Sequence, residues 1–385
     1  MTPPGQAGGT GRLDSLDGLR GLAALSVVLY HFTVRWVPPN WPEPLFPFND
    51  VFLRYAPVLD QFGTYGVRLF FVTSGFVILM TLERSTSVLQ FAVRRMARLW
   101  PAMIVCATLS TLLINGLGTY SRFESTQTFQ VTWLEYLSSM VFIDPSLVGT
   151  FFGAPEARWV EGVYWTLWAE VRFYALIALC WWMAGPRAFL PVWTGLQALS
   201  LFAATGLIGQ TGSWTMDQLI TLTLQPAMLG YFSFGLLAYR LWKRQSGGLD
   251  GILAVLAAFG IMAGHDYQRI LPDLFVLATF GLVLIPGPWH RVLSWRPILV
   301  IGLASYALYL FHERVGLMAI LELDRLGVPS LISVPVILLI LIAIAVALHH
   351  SVEQPARKFL CRRLEPACDR LRERYPWLGF KAGSA

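Results

Sequence analysis

Residues Leu331–His350 read LISVPVILLILIAIAVALHH, with no acidic or basic side chain before the closing histidine pair. A helix needs about 20 predominantly apolar residues to cross the hydrocarbon core of a bilayer, so this stretch predicts a transmembrane helix. The same test, carried outward along the chain, predicts nine further spans. They are Leu16–Trp36, Thr64–Leu82, Leu99–Asn115, Tyr164–Ala184, Ala188–Ile208, Pro226–Trp242, Leu249–Gly264, Leu271–Pro286 and Pro297–Ile320. The composition agrees. The chain has 385 residues, 55% hydrophobic and 14% charged, and its mean hydropathy is +0.56. Soluble domains carry about 25% charged residues. A soluble enzyme, a disordered chain and a disulfide-rich secreted module are excluded. The expected fold class is all-α, a polytopic membrane helix bundle of about ten transmembrane helices. The range runs from about nine to about eleven, because Leu249–Gly264 and Leu271–Pro286 are short. The apolar run Val131–Ile143, interrupted by Glu135, reads as an interfacial or re-entrant segment.

Lys and Arg set the orientation, since cytoplasmic loops hold an excess of both. With the N-terminus in the cytoplasm, the outer loops and helix ends hold seven basic residues: Arg35, Arg54, Arg122, Arg158, Arg269, Arg314 and Arg325. Arg68 and Arg172 fall within spans, and twenty of the 29 Lys and Arg residues fall inside. The pattern predicts N-in/C-in and three parts: a cytoplasmic segment 1–15, a transmembrane domain 16–350 and a basic cytoplasmic tail 351–385. The net charge of +6 then needs no nucleic-acid partner, because a basic tail suits anionic lipid headgroups of the bilayer. Met1–Gly11 has no apolar core, so the first helix is expected to serve as the insertion signal. The long loops, Val37–Gly63 and Gly116–Val163, both fall outside. Cys106, Cys180, Cys361 and Cys368 form no CxxC pair, so neither a disulfide nor a zinc site is expected.

An ionisable group inside a span costs about 2.5–3.5 kcal/mol and marks a site by default. Arg20 and His31, eleven residues apart on the first helix, come within about 20° of one face and lie roughly 16 Å apart along the axis. Arg20 falls near the inner end and His31 in the outer half. Taken singly, Arg20 also reads as a snorkelling anchor and His31 as a helix–helix hydrogen bond. The second helix carries GVRLFFVTSGFVI (Gly66–Ile78), with Arg68 near its outer end and the small pair Ser74 and Gly75 in a bulky run. Close helix packing accounts for Gly75. In FAVRRMARLWP (Phe91–Pro101), Arg94, Arg95 and Arg98 form a guanidinium patch suited to phosphates; positive-inside anchoring is the plainer alternative. The fourth span opens VYWTLWAEVRFYAL. Its Glu170 must be paired or protonated at that depth, and Arg172, two residues on, points elsewhere. In SYALYLFHER, Ser305, Tyr309 and His312 make one polar stripe. At SVEQPARKF, Pro355 is expected to end the tenth helix, with Glu353 and Arg357 tying it to neighbours. His31, Arg68, Glu170 and His312 thus gather toward the outer half, above an inner cluster of Arg20, Arg94, Arg95 and Arg98. The pattern predicts chemistry between an anionic cytosolic ligand and something reached from outside.

At these residues the sequence resembles the acyltransferase 3 family of integral-membrane O-acyltransferases, which includes O-antigen and Nod-factor O-acetylases. The matching strings, in order, are DGLRGLAALSVVLYH, GVRLFFVTSGFVI, FAVRRMARLWP, YWTLWAEVRFY, SYALYLFH and VEQPAR, spanning positions 17 to 357. The resemblance implies transfer of an acyl group, commonly acetyl from acetyl-CoA, to a hydroxyl of a sugar or other exported molecule. The family's Arg-x10-His pair falls on Arg20 and His31, and its RxxR pattern on Arg95 and Arg98. Where the family usually has an acidic residue after GV, this chain has Arg68, which suggests a different acceptor or a charge exchanged with Glu170.

The mechanism expected from this reading assigns His31 and Glu170 to catalysis. Imidazole, with an ordinary pKa of about 6.5, takes a proton from the acceptor hydroxyl. Glu170 orients His31 or holds the acceptor. Arg20, Arg94, Arg95 and Arg98 bind the donor on the cytoplasmic side, while Arg68, Ser74, Tyr309 and His312 are acceptor-side or oxyanion candidates. Direct transfer and an acyl-histidine intermediate stay open. No bound cofactor and no metal are expected; acyl-CoA, in the first place acetyl-CoA, is a co-substrate. The expected acceptor is a cell-surface or exported saccharide or glycolipid, and the expected location is the inner membrane of a bacterium. A tailoring enzyme acting on a small metabolite shares the mechanism. A polar-lipid or sugar transporter also needs polar residues in a bundle, but it predicts internal repeats and paired broken helices, which the sequence does not display.

Overall fold

The computed structural model describes residues 9–35, 62–117, 130–204, 224–263 and 270–380. In chain order the helices are α1 (Gly9–Tyr30), α2 (Phe62–Glu83), α3 (Val88–Leu117), α4 (Trp133–Met140), α5 (Pro145–Phe152), α6 (Trp165–Ala204), α7 (Pro226–Trp242), α8 (Gly248–Ala263), α9 (Ile270–Leu284), α10 (Trp289–Leu293), α11 (Arg296–Leu303), α12 (Ser305–Phe311), α13 (Glu313–Arg325), α14 (Ser330–Leu348) and α15 (Gln354–Arg374). π-Helical turns follow α1 at His31–Arg35 and α14 at His349–Glu353. The described residues are all-α apart from one antiparallel bridge, Ser87 to Gly379. Four helical stretches are long and apolar enough to cross a membrane: Gly63–Glu83, Val88–Gly116, Gly162–Ala203 and Ser330–Arg374. Gly248–Ala263 and Leu271–Leu284 are apolar but shorter.

The differences from the expected spans have local causes. Tyr164–Ala184 and Ala188–Ile208 join in one helical run, kinked where Gly185 takes φ 70° and ψ 174°. Glycine tolerates that conformation, and Pro186 restarts the helix at the position where a missing N–H costs least. The ninth expected span, Pro297–Ile320, is broken at Ala304 and His312 into α11, α12 and α13. Pro355 does not stop the tenth helix. The α ladder gives way to a π turn at His349–Glu353, and Pro355 then sits in the first turn of α15, where proline is tolerated. Within Val131–Ile143 lies the short helix α4, opened by a capping box between Thr132 and Glu135. The segment 1–8, most of Val37–Gly63, the first part of Gly116–Val163 and the end of Ala188–Ile208 lie outside the described residues.

Two compact units divide the chain. The first comprises Met1–Val67, Leu99–Trp168 and Gly287–Ala356. In it, α1 packs on α10 and α11 through backbone contact. A Cβ on Gly18 would lie 1.9 Å from the Leu293 carbonyl oxygen, and one on Gly302 would lie 2.0 Å from that of Asp17. Ala23, Ala24, Val27 and Val28 of α1 are fully or almost fully buried. Tyr306 of α12 donates to the Leu99 carbonyl at 3.0 Å, and Trp100 donates to that of Met140 at 2.8 Å.

The second unit comprises Arg68–Arg98, Ala169–Pro286 and Arg357–Ala385. Here α2 crosses α7 at Gly75 and Gly235, where a Cβ would come within 2.1 Å of the Phe232 oxygen or 2.0 Å of the Val72 oxygen. Small residues permit such approach. Phe173 stacks on Phe232 with centroids 3.8 Å apart. Trp193 donates to Ser233, and Ser233 to Gln197, each at 2.9 Å, so those buried polar groups are satisfied. After α15 the chain returns to α6, where Trp182 donates its indole N–H to the Trp377 carbonyl at 2.6 Å.

Candidate active site

His31 begins the π turn at the end of α1, and His312 sits at the break between α12 and α13. Both belong to the first unit, with ring centroids 5.1 Å apart. Backbone carbonyls can only accept, and this fixes where each ring carries its proton. His312 Nδ1 is 2.9 Å from the Tyr309 oxygen, so Nδ1 carries the hydrogen and the neutral ring keeps its lone pair on Nε2. That Nε2 faces His31 Nδ1 at 3.3 Å. His31 Nδ1 in turn lies 2.8 Å from the Val27 oxygen, so it donates as well. His31 Nε2 is therefore the atom left with a lone pair.

Below Nε2 lies a carboxylate. Glu313 Oε1 is 3.7 Å from His31 Nε2, and both side chains are close to nine-tenths buried. Glu313 is held from the other side, where the Val163 N–H donates to Oε2 at 2.6 Å. Gly162 makes room for it, since a Cβ there would lie 2.6 Å from the same oxygen. π-Helical insertions frequently mark functional sites, and this one aims the imidazole at a fixed acid.

A second acidic side chain anchors the start of α13. Glu161 is fully buried. It accepts from the Ser110 hydroxyl at 2.8 Å and from the N–H groups of Arg314 at 2.6 Å and Val315 at 3.4 Å. These are N–H groups that the first turn of α13 leaves without helical partners. Burial pushes the Glu161 carboxyl up to about 7, against the hydrogen bond from the Arg314 backbone. Tyr309 shares a hydrogen bond of 2.9 Å with Thr166, and Tyr164 donates to the Leu310 carbonyl at 2.9 Å. Ser305 is buried with its hydroxyl unbonded.

Of the residues expected at the site, His31, Tyr309 and His312 come together in this unit, and Arg20 lies on the same helix as His31. Arg20 is 3.5 Å from Asp17. The others belong to the second unit and carry their own partners. Glu170 accepts from Ser74 at 2.8 Å and from the Tyr174 hydroxyl. Arg68 pairs with Asp273 at 2.6 Å, and Tyr231 donates to the same oxygen. The charge at Arg68 is thus balanced by Asp273 rather than by Glu170. The three neighbouring arginines diverge. Arg94 is paired with Glu365 at 2.9 Å. Arg95 is buried, bonded to Thr81 at 3.1 Å and lying 5.5 Å from the Tyr174 ring centre. Arg98 is half-buried.

Glu313, Glu161 and Asp273 did not stand out in the sequence. Glu313 stands beside His312 in SYALYLFHER, but on an unbroken helix it points off the polar stripe. The break at His312 makes it the first residue of α13 and turns it toward His31.

The family model described as an acyltransferase domain matches residues 13–350. Nodulation protein 10 of Rhizobium leguminosarum bv. viciae is 28% identical over 348 residues, covering 81% of this chain and 85% of that protein. The peptidoglycan O-acetyltransferase OatA of Listeria monocytogenes is 25% identical over 334 residues, covering 77% of this chain and 48% of OatA. The O-acetyltransferase OatA of Staphylococcus aureus is 24% identical over 329 residues, covering 78% of this chain and 50% of OatA. The chain therefore spans about half the length of the two OatA proteins. No solved structure matches it.

Proposed function

The chain belongs to the acyltransferase 3 family of membrane O-acyltransferases, and on that premise we propose that it moves an acetyl group from acetyl-CoA to a hydroxyl of an exported or cell-surface saccharide, with His31 as the base. The observation that carries the reading is His31 itself. A backbone hydrogen bond fixes its proton on Nδ1 and puts the lone pair on Nε2, with Glu313 at 3.7 Å. Nε2 takes the proton from the acceptor hydroxyl as its oxygen attacks the thioester carbon. Glu313 stabilises the imidazolium that forms. As the tetrahedral intermediate collapses, the carbon–sulfur bond breaks and the imidazolium returns its proton to the departing thiolate of CoA. A general base of this kind contributes about 10²–10⁴-fold to rate. His312, whose Nε2 accepts from His31 Nδ1, holds the ring in the useful tautomer.

Within the first unit, donor binding falls to Arg20, on the helix of His31. Arg94 is engaged by Glu365. Glu170, in the second unit, is fixed by Ser74 and Tyr174. The saccharide acceptor draws support from the peptidoglycan O-acetyltransferase among the relatives. About ten spans, both termini in the cytoplasm and a bacterial inner membrane complete the reading. Its support is the apolar helices and the bias of Lys and Arg to one side. The test is purified full-length protein in liposomes with radiolabelled acetyl-CoA and cell-envelope extract. Label moves to a saccharide with the wild-type chain and not with His31→Ala at equal folded amounts. Undiminished transfer by His31→Ala removes His31 as the base.

A further inference from the structure

The break at His312 leaves α13 without a cap of its own. A helix begins with N–H groups that have no intrahelical partner, and the residue before it usually supplies a side-chain acceptor for the second or third of them. Here that residue is His312. Its ring is turned to the Tyr309 oxygen and to His31, and it makes no capping bond to α13. The acceptor comes instead from a distant part of the chain. Glu161 accepts from the N–H of Arg314, the second residue of α13, at 2.6 Å, and from that of Val315, the third, at 3.4 Å. The hold is reciprocal. Glu313, the first residue of α13, accepts from the Val163 N–H at 2.6 Å, and the Arg314 guanidinium donates to the Val160 carbonyl at 2.9 Å. The segment 160–163 and the start of α13 thus exchange a carboxylate each. Glu161 is itself aimed by Ser110 of α3, which donates to it at 2.8 Å. Ser110 and Glu161 are both fully buried.

We propose that Glu161 is a positioning residue for the acyl transfer: by capping α13 it fixes the Glu313 carboxylate beside His31 Nε2. The inference rests on the reading of His31 as the base. His31 and Glu313 stand on separate helices, and their separation of 3.7 Å is set by where α13 begins. An imidazole at the capping position serves the site and leaves the helix start without a local acceptor; Glu161 supplies that acceptor from across the fold. With Glu161 gone, buried N–H groups at the start of α13 lose their partner, and the first turn shifts to find another. A displacement of about 1 Å at a reacting group can lower a rate about 100-fold. Ser110 ties the same hold to α3.

The test is steady-state kinetics of the full-length protein in liposomes, with radiolabelled acetyl-CoA as donor, saturating cell-envelope extract as the source of acceptor, and rates taken per folded molecule. Glu161→Ala should lower kcat roughly 10- to 100-fold and leave KM for acetyl-CoA unchanged. Glu161→Gln, which keeps a carbonyl oxygen for the Arg314 N–H, should recover most of that loss. The effect should fade where Glu313 no longer carries a charge. With Glu313→Gln already in place, adding Glu161→Ala should lower kcat by less than about 3-fold, because residues that act through one another give coupled losses, whereas independent losses multiply. Ser110→Ala should lower kcat by a smaller factor with the same coupling to Glu313, and it carries the test where Glu161→Ala does not fold. A wild-type kcat in Glu161→Ala, a raised KM with kcat kept, or losses that multiply in the double variant would each overturn the proposal. Transfer kept by His31→Ala removes the base itself. Transfer lost by His31→Ala and lowered by Glu313→Gln, but kept by Glu161→Ala, removes only the positioning role.

Discussion

His31 and Arg68 are both ionisable side chains on long apolar helices, and their surroundings are opposite. Arg68 is closed off. Its guanidinium meets Asp273 at 2.6 Å, Tyr231 covers the same oxygen, and both charged side chains are more than nine-tenths buried. His31 is held by neutral groups at Nδ1 and stands near a carboxylate at Nε2. Its Nδ1 is tied to backbone and to a second imidazole, while Nε2 faces Glu313 at 3.7 Å, too far for a hydrogen bond. A saturated pair holds helices together; a lone pair held above an acid can accept a proton. The comparison teaches that polarity within an apolar helix locates candidates, and that the state of each hydrogen-bonding atom separates fastening from chemistry.

The largest expected effect lies on the closed side. Arg68→Ala strands the Asp273 carboxylate, and removing one partner of a buried pair costs about 3–5 kcal/mol. The melting temperature in detergent should fall sharply. Arg68→Leu with Asp273→Leu should recover more than half of the loss, because the uncompensated charge is gone. If Arg68→Ala melts like the wild type, the pair is not a fastening and the comparison fails at that end.

The next effect lies at His31. Glu313→Gln keeps an acceptor for the Val163 N–H but loses the charge that steadies the imidazolium. Charge-assisted contacts contribute about 1.5–3 kcal/mol, so kcat should fall roughly 10- to 150-fold with little change in melting temperature. A large drop in stability with kcat preserved would make Glu313 a fastening like Asp273.

Much of this was legible beforehand. Apolar length alone marks α2, α3 and α14, because lipid imposes a minimum span on any helix that crosses it. The Arg20–His31 face follows from helical periodicity, and Gly185 with Pro186 announces a kink in its residue types. The breaks at Ala304 and His312 were not legible, since neither residue is a glycine or a proline. Without the second break, Glu313 points away from His31. Asp273 stands 205 residues from Arg68, and no local pattern links them. Nor could spacing show that Arg94, Arg95 and Arg98 part company, since Glu365 and Tyr174, their partners, come from other helices.

A further expected effect concerns pH. Glu161 has its carboxyl pushed up by burial from an ordinary 4.5 to about 7. The folded chain thus retains a proton that the unfolded chain releases at lower pH. This contribution to stability is full below about 4.5 and is lost as pH rises through about 7. Glu161→Gln can keep accepting from the Arg314 N–H and has no proton to release. Its melting temperature should therefore fall less than that of the wild type between about pH 5 and about pH 8. Parallel curves would place the buried charge elsewhere.

The central claim, that His31 Nε2 is the atom that accepts the proton, is tested most directly by the nitrogen-15 spectrum of the histidines in the full-length protein. The chain has six histidines, and His31→Gln assigns the signal by its disappearance. For the neutral ring, the account predicts the proton on Nδ1 and the lone pair on Nε2. A His31 ring protonated on Nε2 alone, with Nδ1 bare, would contradict it.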